Sequence, residues 1–378
     1  MSDSDPKSAP RPLAELRARI DALDERILEL LNERARVAAE VGEWKRTREP
    51  DAPFHVPARE REVLARLEAR NPGPFPRQAV RAVFQEVMSA CLSLERPLRV
   101  AFLGPEGDAA HQAVKHQFGL STLPVAQRSI EAVFHAVEAG QADYGVVPVE
   151  NATEGSVDAT LDAFLESELR VVAEIQLPLQ LALLAPHDVE LAAVRRVYGR
   201  PEALQQAREW LAAQLPGAAQ VAASSPGEAG RLARSDPEGA AVAPEVSARL
   251  FDLRVAAEGV QGAGAGATRF WVLGRRALAP SGRDRTSIAV SVKDGPGVLL
   301  RVLDPLARHG INLTRIESRP SRRRSWEYVF FLDLEGHEAD GPVAAALAEV
   351  ALAAAGVKRL GSYPRGEPGA AAPAPDAG

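Results

Sequence analysis

Apolar side chains return every third or fourth residue along the first part of the chain. Leu16, Ile20, Leu23, Ile27, Leu30 and Leu31 share one stripe, which is the period of an amphipathic helix. No proline falls between Pro12 and Pro50, so the spacing predicts one helix from Leu13 to about Arg48. At ~35 residues it would be ~50 Å long, more than a small core requires. Helices of that length pair with another chain or with a long antiparallel neighbour. Two shorter helical stretches follow at Pro57–Arg70 and Arg77–Leu94, separated by the breaker NPGPFP. Residues 11–96 are therefore expected to form an all-α unit of three helices.

At Arg96-Pro97 the period changes. LRVAFLG reads as a strand, GPEGD as a turn and HQAVKHQF as a helix. AVFHAVEAG (helix), ADYGVVPVE (strand) and SVDATLDAFLE (helix) continue the alternation, LRVVAEIQLPLQLALLAP supplies strands, and α/β units run on to FWVLGR. Residues 98–276 are thus an α/β region. Beyond ALAPSGRD, the segments TSIAVSV, GVLLRVLDPLARHG, NLTRIESRP, WEYVFFLDLEG, VAAALAEVALAAAG and VKRLGSY follow the order β-α-β-β-α-β over 285–364. That order is the ferredoxin-like split motif. Residues 1–10 and 365–378 are rich in Pro, Ala, Gly and Ser and read as disordered tails. The fold class expected is multidomain: all-α, then α/β, then ferredoxin-like.

Composition narrows the function classes. The 378 residues are 46% hydrophobic and 25% charged, which suits a globular protein with sizeable cores. A net charge of −6 argues against a nucleic-acid partner, so any anionic ligand must be met by local clusters of Arg and Lys. Cys91 is the single cysteine, which excludes an internal disulfide and a multi-cysteine metal site. There is no apolar run long enough for a membrane span, and MSDSDPKSAP lacks a secretory pattern. A cytoplasmic location is expected.

In the helical unit the cations carry the information. Arg34 and Lys45, eleven residues apart, lie on nearly the same helix face at ~100° per residue. Arg17 falls a quarter turn or more off that line and would not easily converge with them within one helix. Arg59 and Glu60 open the next helix, and Cys91 and Glu95 share a face of the third. Taken singly, each Arg reads as solvated surface. Together, through LRARIDALDERILELLNERARVAAEVGEWK, PARERE and EVMSACLSLE, residues 11–96 resemble the all-helical chorismate mutase family. The resemblance implies an interlocked dimer in which each site borrows one arginine from the partner chain. It assigns Arg17 (lent across the dimer), Arg34 and Arg59 to the two carboxylates of chorismate, as the planar guanidinium fork suits. Lys45 and Glu95 would be catalytic at the ether oxygen, and Glu60 would accept the substrate hydroxyl. An ionised Glu95 would repel the developing oxyanion, so Glu95 is expected to act protonated. Cys91 stands where the family has a serine, and Val56 replaces an acidic residue of some members.

Residues 98–276 resemble prephenate dehydratase through FLGPEG (102–107), YGVVPVEN and the following ATEGSV, Gln205-Gln206 after VYGRP, AAVAPEVSARLFDL, and the triplet Thr268-Arg269-Phe270. That family has two α/β lobes around a cleft, similar to periplasmic binding proteins. By resemblance Thr268 is catalytic, protonating the departing hydroxyl of prephenate as carbon dioxide leaves, and Asn151, Gln206 and Arg269 bind prephenate. Read alone, Asn151 is a turn residue and Arg269 a surface cation. Several positions depart from the family: Asp108, Ala109 and Ala110 replace a hydroxyl-rich run, Gly266 an asparagine, Gln180 and Leu181 histidines, and Arg200-Pro201-Glu202 a His-Pro-Gln. Lost donors weaken an anion site, and Asp108 adds repulsion. The stretch GAGAGA (262–267) leads into a strand, so it lacks the context of a dinucleotide loop and reads as a flexible connection.

Residues 285–364 resemble the ACT regulatory domain, most closely in KDGPGVLLRVLDPLARHGINLTRIESRPS. The implied phenylalanine site takes Gly297, Val298 and Leu299 at a helix start, whose free N–H groups hold a carboxylate. Asn312, Leu313 and the segment Glu317, Ser318, Arg319 and Pro320 complete it. Arg322–Arg324 reads as a solvated loop. The three modules in this order resemble the bifunctional chorismate mutase/prephenate dehydratase family, an isomerase and a carbon–oxygen lyase of phenylalanine biosynthesis that needs no cofactor or metal. The partners implied are chorismate, prephenate, L-phenylalanine and further copies of the chain. A rival reading keeps the mutase and its phenylalanine control but makes the middle module an inactive binding module.

Overall fold

The three-and-four spacing of the first segment becomes a helix of 36 residues, α1 (Leu13–Arg48), with α2 (Pro57–Arg70) and α3 (Arg77–Ser93) after it. The computed structural model describes residues 12–48, 55–151, 155–178, 180–261, 267–293, 295–320 and 327–366. The expected tails, apart from residues 365 and 366, Arg322–Arg324 and most of the glycine stretch lie outside the described residues. The chain divides into two units, one formed by the first 97 residues with Gly119–Ser121 and one by the rest. In the helical unit, Pro57 starts α2 where a missing N–H costs nothing. Leu64, Val80, Met88 and Cys91 are buried. Along α1 only Gly42 is buried. Leu13, Leu16, Ile20, Leu23, Ile27 and Leu30 are each more than two-fifths exposed.

The second unit opens with a lobe of β1 (Arg99–Leu103), α4 (Ala109–Phe118), β2 (Leu123–Gln127), α5 (Ile130–Glu138), β3 (Tyr144–Asn151), β4 (Gly155–Ser156), α6 (Asp158–Glu166) and β5 (Arg170–Pro178). The chain then crosses to a second lobe of β6 (Leu181–Ala185), β7 (Arg196–Gly199), α7 (Pro201–Gln206), α8 (Arg208–Gln214), β8 (Ala219–Ala222), α9 (Pro226–Ser235), β9 (Gly239–Pro244), α10 (Val246–Leu250) and β10 (Arg254–Ala257). It returns through β11 (Ala267–Gly274), which inserts between β3 and β5, so the first sheet runs β2-β1-β3-β11-β5 and the second β10-β6-β9-β7-β8. Local chemistry sets the helix starts. Ser129 caps α5 by accepting from Ala132 N, and Ser225 caps α9 by accepting from Glu228 N.

The last module is β12 (Asp284–Lys293), α11 (Val298–Arg308), β13 (Leu313–Pro320), β14 (Glu327–Glu335), α12 (Gly341–Ala353) and β15 (Gly356–Pro364), in the sheet order β13-β14-β12-β15. Away from the edge strand β13, both faces of this sheet are covered. Ile288, Val290, Leu332 and Leu334 pack with Val302, Leu306, Val343 and Leu347 of the two helices. The alternate residues Ala289, Val329, Phe331, Leu360 and Tyr363 join the core of the first lobe, beside Phe164, Val171, Trp271 and Leu273. One apolar core thus spans middle and C-terminal modules, and each large side chain buried there contributes roughly 1.5–3 kcal/mol. Gly361, at φ +151°, lets β15 lie against β5, since a Cβ there would fall 2.8 Å from Val171 N. Among the described residues no helix is long and apolar enough to cross a membrane.

Candidate active sites

In the helical unit the structure brings Glu95 against α1 about one turn before Lys45. Glu95 follows α3 and rests on Gly42, where a Cβ would come within 2.6 Å of its Cγ. Lys45, one turn further on, is half-buried, as is Arg34. Cys91 is buried on α3, one turn before Glu95. On α2, Glu60 meets His55 Nε2 at 3.0 Å, and the exposed Arg59 donates to Glu62 at 2.8 Å. That hydrogen bond and charge hold the Glu62 carboxyl below the usual carboxylate range. Arg17 is exposed on the first half of α1. Its distance from Lys45 along the axis is ~42 Å, from 28 residues at 1.5 Å each, so one chain cannot bring the two to a single small ligand.

In the two-lobed module a cleft is lined by Asp108, Asn151, Arg200, Glu202 and Gln206. Asn151 ends β3 and is paired in register with Thr268, which is 6% exposed at the start of β11. Directly paired residues project to the same side of a sheet, so Thr268 and Asn151 form one rung. Gln206, at the end of α7, has a buried Oε1 with no hydrogen-bond partner among the described residues. Such an acceptor is costly unless a donor arrives. Asp108 sits just before α4 and accepts from Ala109 N at 2.7 Å. Burial raises its carboxyl above the usual range, with the Ala109 hydrogen bond and the charge of Arg200 opposing the rise. His111, stacked on Phe102, accepts from Gly107 N at 3.1 Å, and burial lowers its pKa. Asp108, Arg200 and Glu202 therefore line the same cleft as Asn151 and Gln206.

Arg269, expected at a substrate carboxylate, lies elsewhere. Its neighbour Thr268 shares a rung with the cleft residue Asn151, and successive strand residues face opposite ways. The guanidinium donates to Glu174 at 2.7 Å, to Asp333 at 2.6 Å and to the Tyr363 hydroxyl at 3.2 Å. Glu174 also pairs with Arg285, and Ser287 donates to Asp333 at 2.5 Å. Burial alone would disfavour the Arg269 charge, but Tyr363, Asp333 and Glu174 outweigh it and raise its pKa. Burial pushes the Tyr363 phenol up, with Asp333 adding to it. This charged cluster between modules was not legible in the sequence, since its bonded partners lie 46 to 111 positions apart.

In the C-terminal module Gly297 adopts the left-handed conformation (φ +69°) that starts α11, and Val298 and Leu299 are half-buried behind it. Asn312 and Leu313 open the edge strand β13, whose residues alternate in exposure. Ser318 and Pro320 are exposed, whereas Glu317 and Arg319 meet the middle module. Glu317 accepts from Ser156 Oγ at 2.6 Å, and Arg319 pairs with Asp158 and, at 3.1 Å, with Asp162.

Three family models match the chain in succession: Chorismate mutase type II over residues 16–96, Prephenate dehydratase over 100–278 and ACT domain over 286–352. A bifunctional chorismate mutase/prephenate dehydratase of Aquifex aeolicus (strain VF5) is 45% identical over 357 residues, covering 93% of this chain and 98% of the relative. A solved prephenate dehydratase from Arthrobacter aurescens, in complex with L-Phe, is 34% identical with a TM-score of 0.65, covering 74% of this chain and 94% of that one. A solved quorum-quenching acylase of a novel type is 27% identical with a TM-score of 0.66, covering 71% and 98%.

Proposed function

The chain belongs to the bifunctional chorismate mutase/prephenate dehydratase family, and from that premise we propose how its residues divide two successive reactions and their control. It rearranges chorismate to prephenate, then removes water and carbon dioxide from prephenate to give phenylpyruvate, under regulation by phenylalanine.

The first reaction is pericyclic and needs orientation and electrostatic stabilisation rather than a nucleophile. Arg34, Arg59 and Arg17 of the partner subunit hold the two carboxylates. Lys45 and a protonated Glu95 meet the ether oxygen as its C–O bond breaks, and Glu60 accepts the hydroxyl. The glycine at 42 supports this reading, because it lets the Glu95 side chain lie one turn from Lys45. The unpartnered apolar stripe of α1 supports a dimer, as does the distance between Arg17 and Lys45 on one helix.

In the second reaction the carbon–carboxylate bond breaks and its electron pair moves through the ring to expel the hydroxyl. Thr268 supplies the proton with which that hydroxyl leaves as water. Asn151 and Gln206 orient the ring and its hydroxyl. Arg200 is placed to take a substrate carboxylate, since Arg269 is held by acidic neighbours. The observation that carries this reading is the Asn151–Thr268 rung beside a cleft in which Gln206 Oε1 is buried and unpaired. Phenylalanine is assigned to Gly297, Val298 and Leu299 with Asn312, Leu313 and Ser318, the last two on the strand from which Glu317 and Arg319 reach the middle module. We assign the protein to the cytoplasm, where soluble enzymes of this biosynthetic class act.

Purified protein given chorismate should release phenylpyruvate, and less of it when phenylalanine is added. Thr268→Ala should stop at prephenate with the mutase rate intact. Accumulation of prephenate by the parent chain would leave a regulated mutase carrying an inactive binding module.

A further inference from the structure

The two strands that carry the dehydration site also carry a second rung. The ladder pairs Thr268 with Asn151 and, one step along, Arg269 with Glu150. Adjacent residues of a strand face opposite ways, so one rung serves the cleft and the other faces the C-terminal sheet. On that side Arg269 is bound to Asp333 of β14 at 2.6 Å and to Tyr363 of β15 at 3.2 Å, and it reaches Glu150 at 3.6 Å. Glu150 is shared with Arg315 of β13, also at 3.6 Å. Arg315 donates to Ser156 Oγ at 2.6 Å, and Ser156 in turn donates to Glu317 at 2.6 Å.

Resting on the dehydratase reading of the cleft, we propose that Arg269 and Glu150 are positioning residues, a charged rung, buried at Arg269 and half-exposed at Glu150, through which the C-terminal sheet sets the placement of Thr268 and Asn151. The physical argument is one of direction. Apolar packing between the modules is non-directional and tolerates small slides. Charge-assisted hydrogen bonds are short and angle-dependent, and they fix where a strand sits. Desolvating such a cluster is worthwhile only when its geometry is nearly ideal, so a shift of β13 or β14 must either move Glu150 and Arg269 or break their bonds. Both residues are one peptide away from the groups that touch prephenate. The effector strand, with Arg315 and Glu317 on its inner side, is thereby joined to the catalytic rung without a ligand crossing the cleft.

The test uses the full chain and three isosteric or conservative variants, Asp333→Asn, Tyr363→Phe and Arg269→Lys. Prephenate kcat and KM are measured with and without phenylalanine, and the mutase rate on the same sample is the control for folding. Asp333→Asn should lower prephenate kcat about tenfold or more, the scale of a sub-ångström to ångström misplacement. Its KM should stay within about twofold, its mutase rate should be parental, and its phenylalanine response should weaken. Tyr363→Phe removes one hydroxyl and should show the same pattern at smaller size, which decides the matter should Asp333→Asn fail to fold. Parental kcat and parental phenylalanine response in Tyr363→Phe and in a folded Asp333→Asn overturn the proposal. So does an Arg269→Lys variant whose KM rises at parental kcat, which would make Arg269 a substrate ligand. A parent chain that leaves prephenate untouched overturns the dehydratase reading and this inference together.

Discussion

Asp108 brings a carboxyl into the cleft that Asn151 and Gln206 also line. Its carboxyl is raised by burial against the pull of the Ala109 hydrogen bond and of Arg200, so its charge is disfavoured in the folded state. A raised folded value means that the stability it allows is fully present at low pH and is lost as pH rises through that value. Asp108→Asn should therefore stabilise the protein at neutral pH, with the gain vanishing as pH falls below the ordinary carboxylate range. The same variant should lower the KM for prephenate at neutral pH by about fivefold, the factor given by about 1 kcal/mol of relieved repulsion. Thermal melts and initial rates across pH check both, and a KM that rises would show Asp108 to be a donor to substrate. Short motifs single out Thr268, Asn151 and Gln206 in the sequence, and the fold pairs the first two and sets the last two on one cleft. Arg269, expected at a substrate carboxylate, is bound instead to Glu174, Asp333 and Tyr363, and which face of a strand is covered depends on a module that closes over it later in the chain. Glu174 and Asp333 carry no local signal at all.

At the scale of elements, the three N-terminal helices and the C-terminal strands were readable to within a few residues, whereas α7 to α10 were not read individually. α1, α2 and the β-α-β-β-α-β order follow from period and from breakers. β2 was not anticipated, and its half-exposed, weakly alternating residues explain why. Nor does any local pattern reveal that the chain changes lobes between β5 and β6 and returns in β11, since membership of a sheet is decided by distant pairing. The exposed stripe of α1 leads to a test of the dimer. Arg17→Ala and Lys45→Ala should each abolish nearly all mutase activity. Mixed after denaturation and refolding together, they should recover about a quarter of the parental rate, because half of the dimers are mixed and each has one complete site. No recovery on mixing would place Arg17 and Lys45 in the same chain's site or outside it.

For the whole molecule, the shared core makes the middle and C-terminal modules one cooperative body. Gly361 holds the closest approach, with β15 against the backbone of β5. Gly361→Ala adds a side chain where φ and space both oppose it, and should destabilise the fold by about 1–3 kcal/mol. The informative readout is hydrogen exchange: amides of β11 and β12 should lose protection together and by the same amount. Loss confined to β12 would mean that the C-terminal sheet opens alone.

That core also bears on how such a chain could be recombined. The segment between β11 and β12 looks in sequence like a convenient seam for exchanging one regulatory tail for another. Yet Val329, Phe331, Leu360 and Tyr363 fill a space shaped by Phe164, Val171 and Trp271. A graft joined at that seam would inherit half of an interior fitted to a stranger. The heritable unit is the two-lobed body together with its sensor, and crossovers that survive should fall before β1 rather than after β11.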